Sequence, residues 1–320
     1  MSATANLYRS VNTAWTEGRL ENVLQRKKEL AALHTGLKKC TPTLVDALRK
    51  DLQTTEESAA EEVRVVLDAV KYLYDSLDFP GTLAGERSVK KGSSGGTLVP
   101  LGPTLIDPSP YAPVSSSLIP LAAAIAAGSG AIVLAPRAAP STSAELKKII
   151  EDSLDKEAVG VTEDDSSNTR QQLGSKHFGV AVLQNLDERG ALLKLLYECN
   201  PLVRIFTPPA GFPVVFIDRS VDDLETVASH IHQVALRNHR QNPLRVPRLC
   251  FVDEAVITDF ENLLHRPIAN GTESLQVNGG QNKIQALYKT LTTTFPSLVE
   301  KFPKHSPSSI PSVVALNSSE

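Results

Sequence analysis

The sequence predicts an α/β protein built around a parallel sheet. The opening of the chain carries amphipathic helical periodicity, and from Thr97 onward short apolar runs alternate with helical segments. The composition, 41% hydrophobic and 22% charged, is that of a globular chain. Its 320 residues allow one large domain or two ordinary ones at about 150 residues each.

Glu17 to Thr35 and Thr41 to Leu52 place Leu, Val and Ala at helical intervals among Lys, Arg and Glu. Glu56 to Leu77 continues the pattern through Val63, Val66, Leu67, Val70, Leu73 and Tyr74. Pro80 to Gly96 holds little that anchors a helix or a strand, so a mobile loop or arm is expected there. Leu98 to Ile106 then reads as a strand, Leu118 to Ala127 as a helix and Ala131 to Leu134 as a second strand. Ser141, Thr142 and Ser143 offer caps for a helix whose Leu146, Ile149, Ile150 and Leu154 share a face.

Glu163 to Gln172 is polar and reads as loop, Phe178 to Leu183 as a strand and Arg189 to Tyr197 as a helix. Val214 to Ile217 is a short strand, and Ser220 followed by Asp223 resembles a capping box ahead of the helical face Leu224, Val227, Ile231 and Val234. Leu249 to Val252 reads as a strand and Ala255 to Leu264 as a helix. Beyond Ala269, one helix over Lys283 to Leu291 precedes a Ser/Pro-rich tail from Pro303, expected to be disordered. The expected division is a domain over 1–204, a second over 205–302 and a tail over 303–320.

Charge narrows the partners. With 33 basic and 36 acidic side chains the net charge is -3, so no basic surplus exists to hold nucleic acid. Cys40, Cys199 and Cys250 are too few for a disulfide framework and suit a reducing, cytoplasmic compartment. The start lacks a basic region followed by an apolar run, and Pro120, Gly128 and Gly130 break the most apolar stretch, so neither secretion nor membrane insertion is expected. His230, His232 and His239 have no ligand-like companions, and no metal is expected.

One stretch is more specific. Pro100-Leu-Gly-Pro-Thr-Leu-Ile-Asp-Pro-Ser-Pro-Tyr-Ala-Pro113, continued by Leu118-Ile-Pro120, Ala126-Ala-Gly-Ser129 and Val133-Leu-Ala-Pro136, resembles the aldehyde dehydrogenase superfamily. The match is to that family's Pro-Leu-Gly strand start, Pro-Trp-Asn turn, Ala-Gly-Asn helix end and Lys-Pro-Ser-Glu strand end. The helical opening, the Phe216-Ile-Asp218 strand and the Cys250-Phe-Val-Asp-Glu254 strand end agree in order. The resemblance implies a Rossmann-type parallel sheet with a helical N-terminal region and a catalytic domain cut short, its open strand edge covered by a second copy or a partner protein.

The resemblance also implies that the family chemistry is missing. Aligning Asn238-His-Arg-Gln241 with the family's Asn-Ala-Gly-Gln run puts the nucleophilic cysteine's place at Pro243, which has no nucleophile. The glutamate that activates water falls between Ile205 and Thr207, where no acid stands, and the oxyanion asparagine matches Tyr111. The ribose-binding lysine matches Ala135, the following glutamate Ala138, and the glycine turn before the phosphate-side helix becomes Leu183-Gln-Asn185, with Arg189 nearby as a remaining contact for an anion. No nicotinamide cofactor is expected.

Asp107 and Tyr111, on the family's cleft-forming turn, are the candidate acid/base pair; the alternative is a turn residue and a packing tyrosine. His239, Arg240, Gln241 and Arg245, with Arg237 and Arg248, form a cluster that would bind an acidic small-molecule substrate or else a solvated basic rim. Three functions follow: a redox-independent cyclase or isomerase in secondary-metabolite biosynthesis, a noncatalytic binding or assembly subunit, or residual dehydrogenation through Cys250 after a strand shift.

Overall fold

The computed structural model describes residues 2–92, 98–186, 189–208, 213–237, 247 and 249–265. These fall into two compact units, one within Met1–Phe212 and one within Pro213–Leu236 and Val246–Glu320.

The first unit opens with four helices, α1 (Ala3–Thr16), α2 (Val23–Leu52), α3 (Glu56–Ser76) and α4 (Phe79–Lys90). Two expectations change here. The helix expected from Glu17 begins at Val23 behind its Asn22 cap and runs without a break through Pro42. Pro42 is exposed, so the carbonyl it leaves without an intrahelical donor can face water, while Leu37, Leu44, Val45 and Leu48 keep the buried stripe continuous. Part of the expected loop is α4: Asp78 caps it by accepting from Gly81 N at 3.1 Å, and Pro80 sits in its first turn, a position that needs no N–H. No α4 residue is buried, which explains the absence of an apolar stripe.

The sheet follows as β1 (Thr104–Asp107), α5 (Pro113–Ala127), β2 (Ala131–Val133), α6 (Pro140–Ser153), β3 (Val159–Val161), α7 (Ser167–Gly174), β4 (Val180–Leu183), α8 (Arg189–Cys199) and β5 (Arg204–Phe206). All five strands are parallel in the order β3-β2-β1-β4-β5. The chain winds outward one way, returns to the centre and winds out the other way, so β1 and β4 meet at a topological switch point. Strand alternation separates two cores. Ile106, Ala131 and Val133 pack with α5, α6, α2 and α3, while Leu105, Ile132 and Ala181 pack with α1, α7 and α8.

The segment expected to loop from Glu163 contains α7, and β3 and β5 join strands the sequence left unassigned. β5 pairs with β4, so Arg204–Phe206 belongs to the first unit's sheet. Of the stretch expected to form a strand from Leu98, only Thr104–Asp107 is β; Leu98, Val99 and Leu101 are exposed.

The second unit holds β6 (Val214–Ile217), α9 (Leu224–Arg237), β7 (Leu249–Val252) and α10 (Ile257–His265). β6 and β7 are parallel and in register from Val214 opposite Leu249 to Ile217 opposite Val252. The capping box expected from Ser220 is a different device: Asp223 is itself the cap, accepting from Thr226 N at 2.9 Å, and Ser220 donates to Asp218. The helix and tail expected beyond Ala269 lie outside the described residues.

Candidate functional site

Ligands in open parallel sheets bind beyond the carboxyl ends of the strands, at the switch point. Here that edge carries Asp107 at the end of β1, Thr162 to Asp165 after β3, and Gln184 after β4. Asp107 is 1% exposed. Arg170, on α7, grips it in a two-bond fork, with Nη1 donating to Oδ2 at 2.9 Å and Nη2 to Oδ1 at 2.8 Å. The same guanidinium takes Asp165, Nη2 donating at 2.8 Å and Nε lying 2.5 Å from the other oxygen. Arg170 and Asp165 are each 7% exposed.

This buried triad carries two negative charges and one positive. Burial alone works against the guanidinium charge, but the hydrogen bonds that Arg170 donates to Asp107 and Asp165 outweigh it and hold the Arg170 pKa above its ordinary value. Arg137 adds a further bond to the Asp165 carbonyl. The sequence reading missed Arg170 and Asp165 because α7 buries Thr169, Arg170, Leu173 and Gly174 instead of an apolar stripe. The available signal was local: Ser166 followed three residues later by Thr169, whose N–H donates to Ser166 Oγ at 3.2 Å as a helix cap.

The proposed acid/base partner, Tyr111, is half-buried on the turn after β1, and its backbone N–H donates to Ser109 Oγ at 3.3 Å. Asp107 and Tyr111 thus share one turn, with Asp107 engaged by Arg170. His239, Arg240, Gln241 and Arg245, like Pro243 and Arg248, lie outside the described residues. The place expected for the family glutamate, between Ile205 and Thr207, lies at the end of β5, where Ile205 is half-buried and Phe206 exposed. Cys250 sits on β7, where burial pushes its thiol pKa up and away from a thiolate, opposite to what a nucleophile needs. Among the described residues no cluster of His, Cys, Asp and Glu could hold a metal, and no helix is long and apolar enough to cross a membrane.

Neighbouring helices supply the rest of the edge's chemistry. Ala112 and Ala139 precede α5 and α6 and have no side chain to cap them. Glu62 of α3 caps α5 instead, accepting from Val114 N at 3.0 Å and Ser115 N at 2.9 Å. Asp51 of α2 accepts from Thr142 N at 2.7 Å in α6, so the serines and threonine expected as caps occupy that helix's first turn. Across the switch point, Gln184 Nε2 donates to Ser116 O of α5 at 2.7 Å.

The sequence matches no protein-family model and no curated protein. Solved structures do match. Staphylococcus aureus AldH in a substrate-bound state is 19% identical with a TM-score of 0.74, the match covering 96% of this chain and 68% of that one. This is the aldehyde dehydrogenase fold. A NAD-dependent benzaldehyde dehydrogenase from Corynebacterium glutamicum has the same TM-score at 15% identity, covering 97% of this chain and 70% of its own. A succinate-semialdehyde dehydrogenase from Burkholderia pseudomallei scores 0.72 at 16% identity, covering 91% and 63%. The chain therefore spans roughly two thirds of these enzymes' length, and at such identities the likeness establishes the aldehyde dehydrogenase fold alone.

The dinucleotide that the fold family implies does not fit the residues present. Ala135, matched to the ribose-binding lysine, is a buried methyl whose N–H donates to Thr162 Oγ1 at 3.0 Å. The first-turn N–H groups of α5 and α6 are already taken by the carboxylates of Glu62 and Asp51, which leaves no anion site at those two helix starts. No glycine opens the turn after β4, and Gln184 bridges the crevice there. Arg189, the remaining candidate contact for an anion, donates to Pro208 O at 3.3 Å.

Proposed function

We propose that this chain uses the aldehyde dehydrogenase fold for a redox-independent task, as a noncatalytic binding or assembly subunit in small-molecule biosynthesis. One observation carries the reading: the carboxyl edge of the sheet is closed by the chain's own groups, with Asp107 and Asp165 held by Arg170 and the switch point bridged by Gln184. A ligand entering there would have to break buried charge-assisted bonds, each worth about 1.5–3 kcal/mol. Calorimetric titration with NAD and NADP to millimolar concentration should give no saturable heat, and added aldehydes should give no reduced nucleotide. Submillimolar nucleotide binding would overturn the proposal.

A cyclase or isomerase is the second reading, favoured by Tyr111, which lies half-buried on the turn after β1. In it Tyr111 donates the proton, Asp107 works only after leaving Arg170, and His239, Arg240, Gln241 and Arg245 hold an acidic substrate. This reading expects nucleotide-free turnover of a biosynthetic intermediate that Tyr111→Phe abolishes while the fold persists. Unchanged turnover in Tyr111→Phe would end it.

A further inference from the structure

The second unit presents two unlike sheet faces. Val215, Ile217 and Val252 turn toward α9 and α10 and pack with Ala228, Phe260 and Leu264. On the opposite face Val214, Phe216 and Phe251 are exposed. Phe216 is 77% exposed and Phe251 51%, yet their rings stack with centroids 5.0 Å apart and planes 12° from parallel. Two large apolar rings held together in water are an unusual use of surface.

The rings form the floor of an open cleft of about 290 Å³, completed by Ile217, Asp218, Val252 and Asp253. Its two carboxylates stand at the carboxyl ends of the parallel strands. Both stay ionised at neutral pH. Hydrogen bonds from the Ser220 side chain and backbone hold Asp218 below the usual carboxylate range, and the Ala255 N–H, helped by Arg219, does the same for Asp253. Arg219 Nε lies 3.2 Å from Asp253 Oδ2, leaving one net negative charge among the three groups. Chain neighbours Asp222, Asp223, Glu225 and Glu254 add to the acidic side.

We propose that this cleft is a binding site for a small organic cation with an apolar body, of the arylalkyl-ammonium class. Its ring would lie against Phe216 and Phe251 while its ammonium sits beside Asp218 and Asp253. Charge complementarity selects a cation, and the aromatic faces add cation–π attraction that a neutral ligand lacks. The volume stands at the small end of ligand sites, which favours a ligand of one ring and a short chain over a larger cofactor.

The test uses the full-length chain with 2-phenylethylammonium and its neutral counterpart 2-phenylethanol, titrated by NMR at low and high salt. The ammonium should bind saturably, about tenfold or more tighter than the alcohol, and weaken as salt rises. Phe216→Ser with Phe251→Ser should abolish binding. Asp218→Asn with Asp253→Asn keeps the side-chain shapes and should reduce the preference for the ammonium to about twofold or less. Phe216, Phe251 and Asp218 are exposed and Asp253 is half-buried, and circular dichroism checks that each variant is folded. Equal affinity for the alcohol, binding retained in both double variants, or no saturation by the ammonium would overturn the proposal. So would light scattering that finds a dimer dissociated by the two serine substitutions, since a second copy would then own the face.

Discussion

Arg170 lies 63 residues from Asp107, and its removal would take charge-assisted hydrogen bonds away from two buried carboxylates, Asp107 and Asp165. Breaking a buried ion network by deleting one partner costs about 3–5 kcal/mol, so Arg170→Met should lower urea-unfolding stability by that amount. Replacing Arg170, Asp107 and Asp165 together by Met or Leu should cost far less, because no uncompensated charge remains. Asp164 gives a pH signature. The Thr169 hydroxyl first, then the Ser166 N–H, hold its pKa below the ordinary value. A lowered folded pKa means that this stabilisation is present above the unfolded value of about 3.9 and is lost as pH falls through the lower folded value. In acid titrations followed by circular dichroism, Asp164→Asn should therefore be less stable than the parent at neutral pH, and the gap should close below about pH 4.

The elements are tied together by capping across the sequence. Glu62→Ala and Asp51→Ala should each cost about 1–2 kcal/mol in thermal unfolding, because each uncovers helix N–H groups that no local side chain can reach. Ser141→Ala, at the position the sequence suggested as a cap, should change stability by less than about 0.5 kcal/mol. The Pro-Leu-Gly strand start has a packing reason: Gly102 has φ +137 and its backbone passes close to Gly179. A Cβ at Gly179 would lie 2.3 Å from Leu101 O, a backbone atom that cannot swing aside. Gly179→Ala should cost about 1–3 kcal/mol or more, read by the same denaturant assay. Elements with a strong apolar period, such as α3, α5 and β4, were legible in the sequence. Others were not: β3 has only three residues, β5 has no fully buried side chain, and α7 buries a charge.

For the whole molecule, the winding order β3-β2-β1-β4-β5 sets where a ligand could enter, and the side chains at that edge decide what can. The aldehyde dehydrogenase scaffold is held by two apolar cores, while Asp107 and Asp165 at the carboxyl edge are tied to Arg170 and the helices α5 and α6 are capped by Glu62 and Asp51. If this edge were lightly held, opening it should restore nucleotide affinity. A combined Glu62→Gln, Asp51→Asn and Gln184→Gly variant should still show no NAD binding by calorimetry, because Ala135 and the Asp107–Arg170 pair remain.

The sequence by itself determined the α/β class and the apolar faces of most helices and strands, because periodicity and residue identity are local properties. Only the tertiary structure decided that Asp107 is bound to Arg170, that α5 and α6 are capped from α3 and α2, and that two phenylalanines stack in the open near two carboxylates. Those facts depend on which distant groups the fold brings within hydrogen-bond or ring-contact distance, and a linear pattern carries no measure of that proximity.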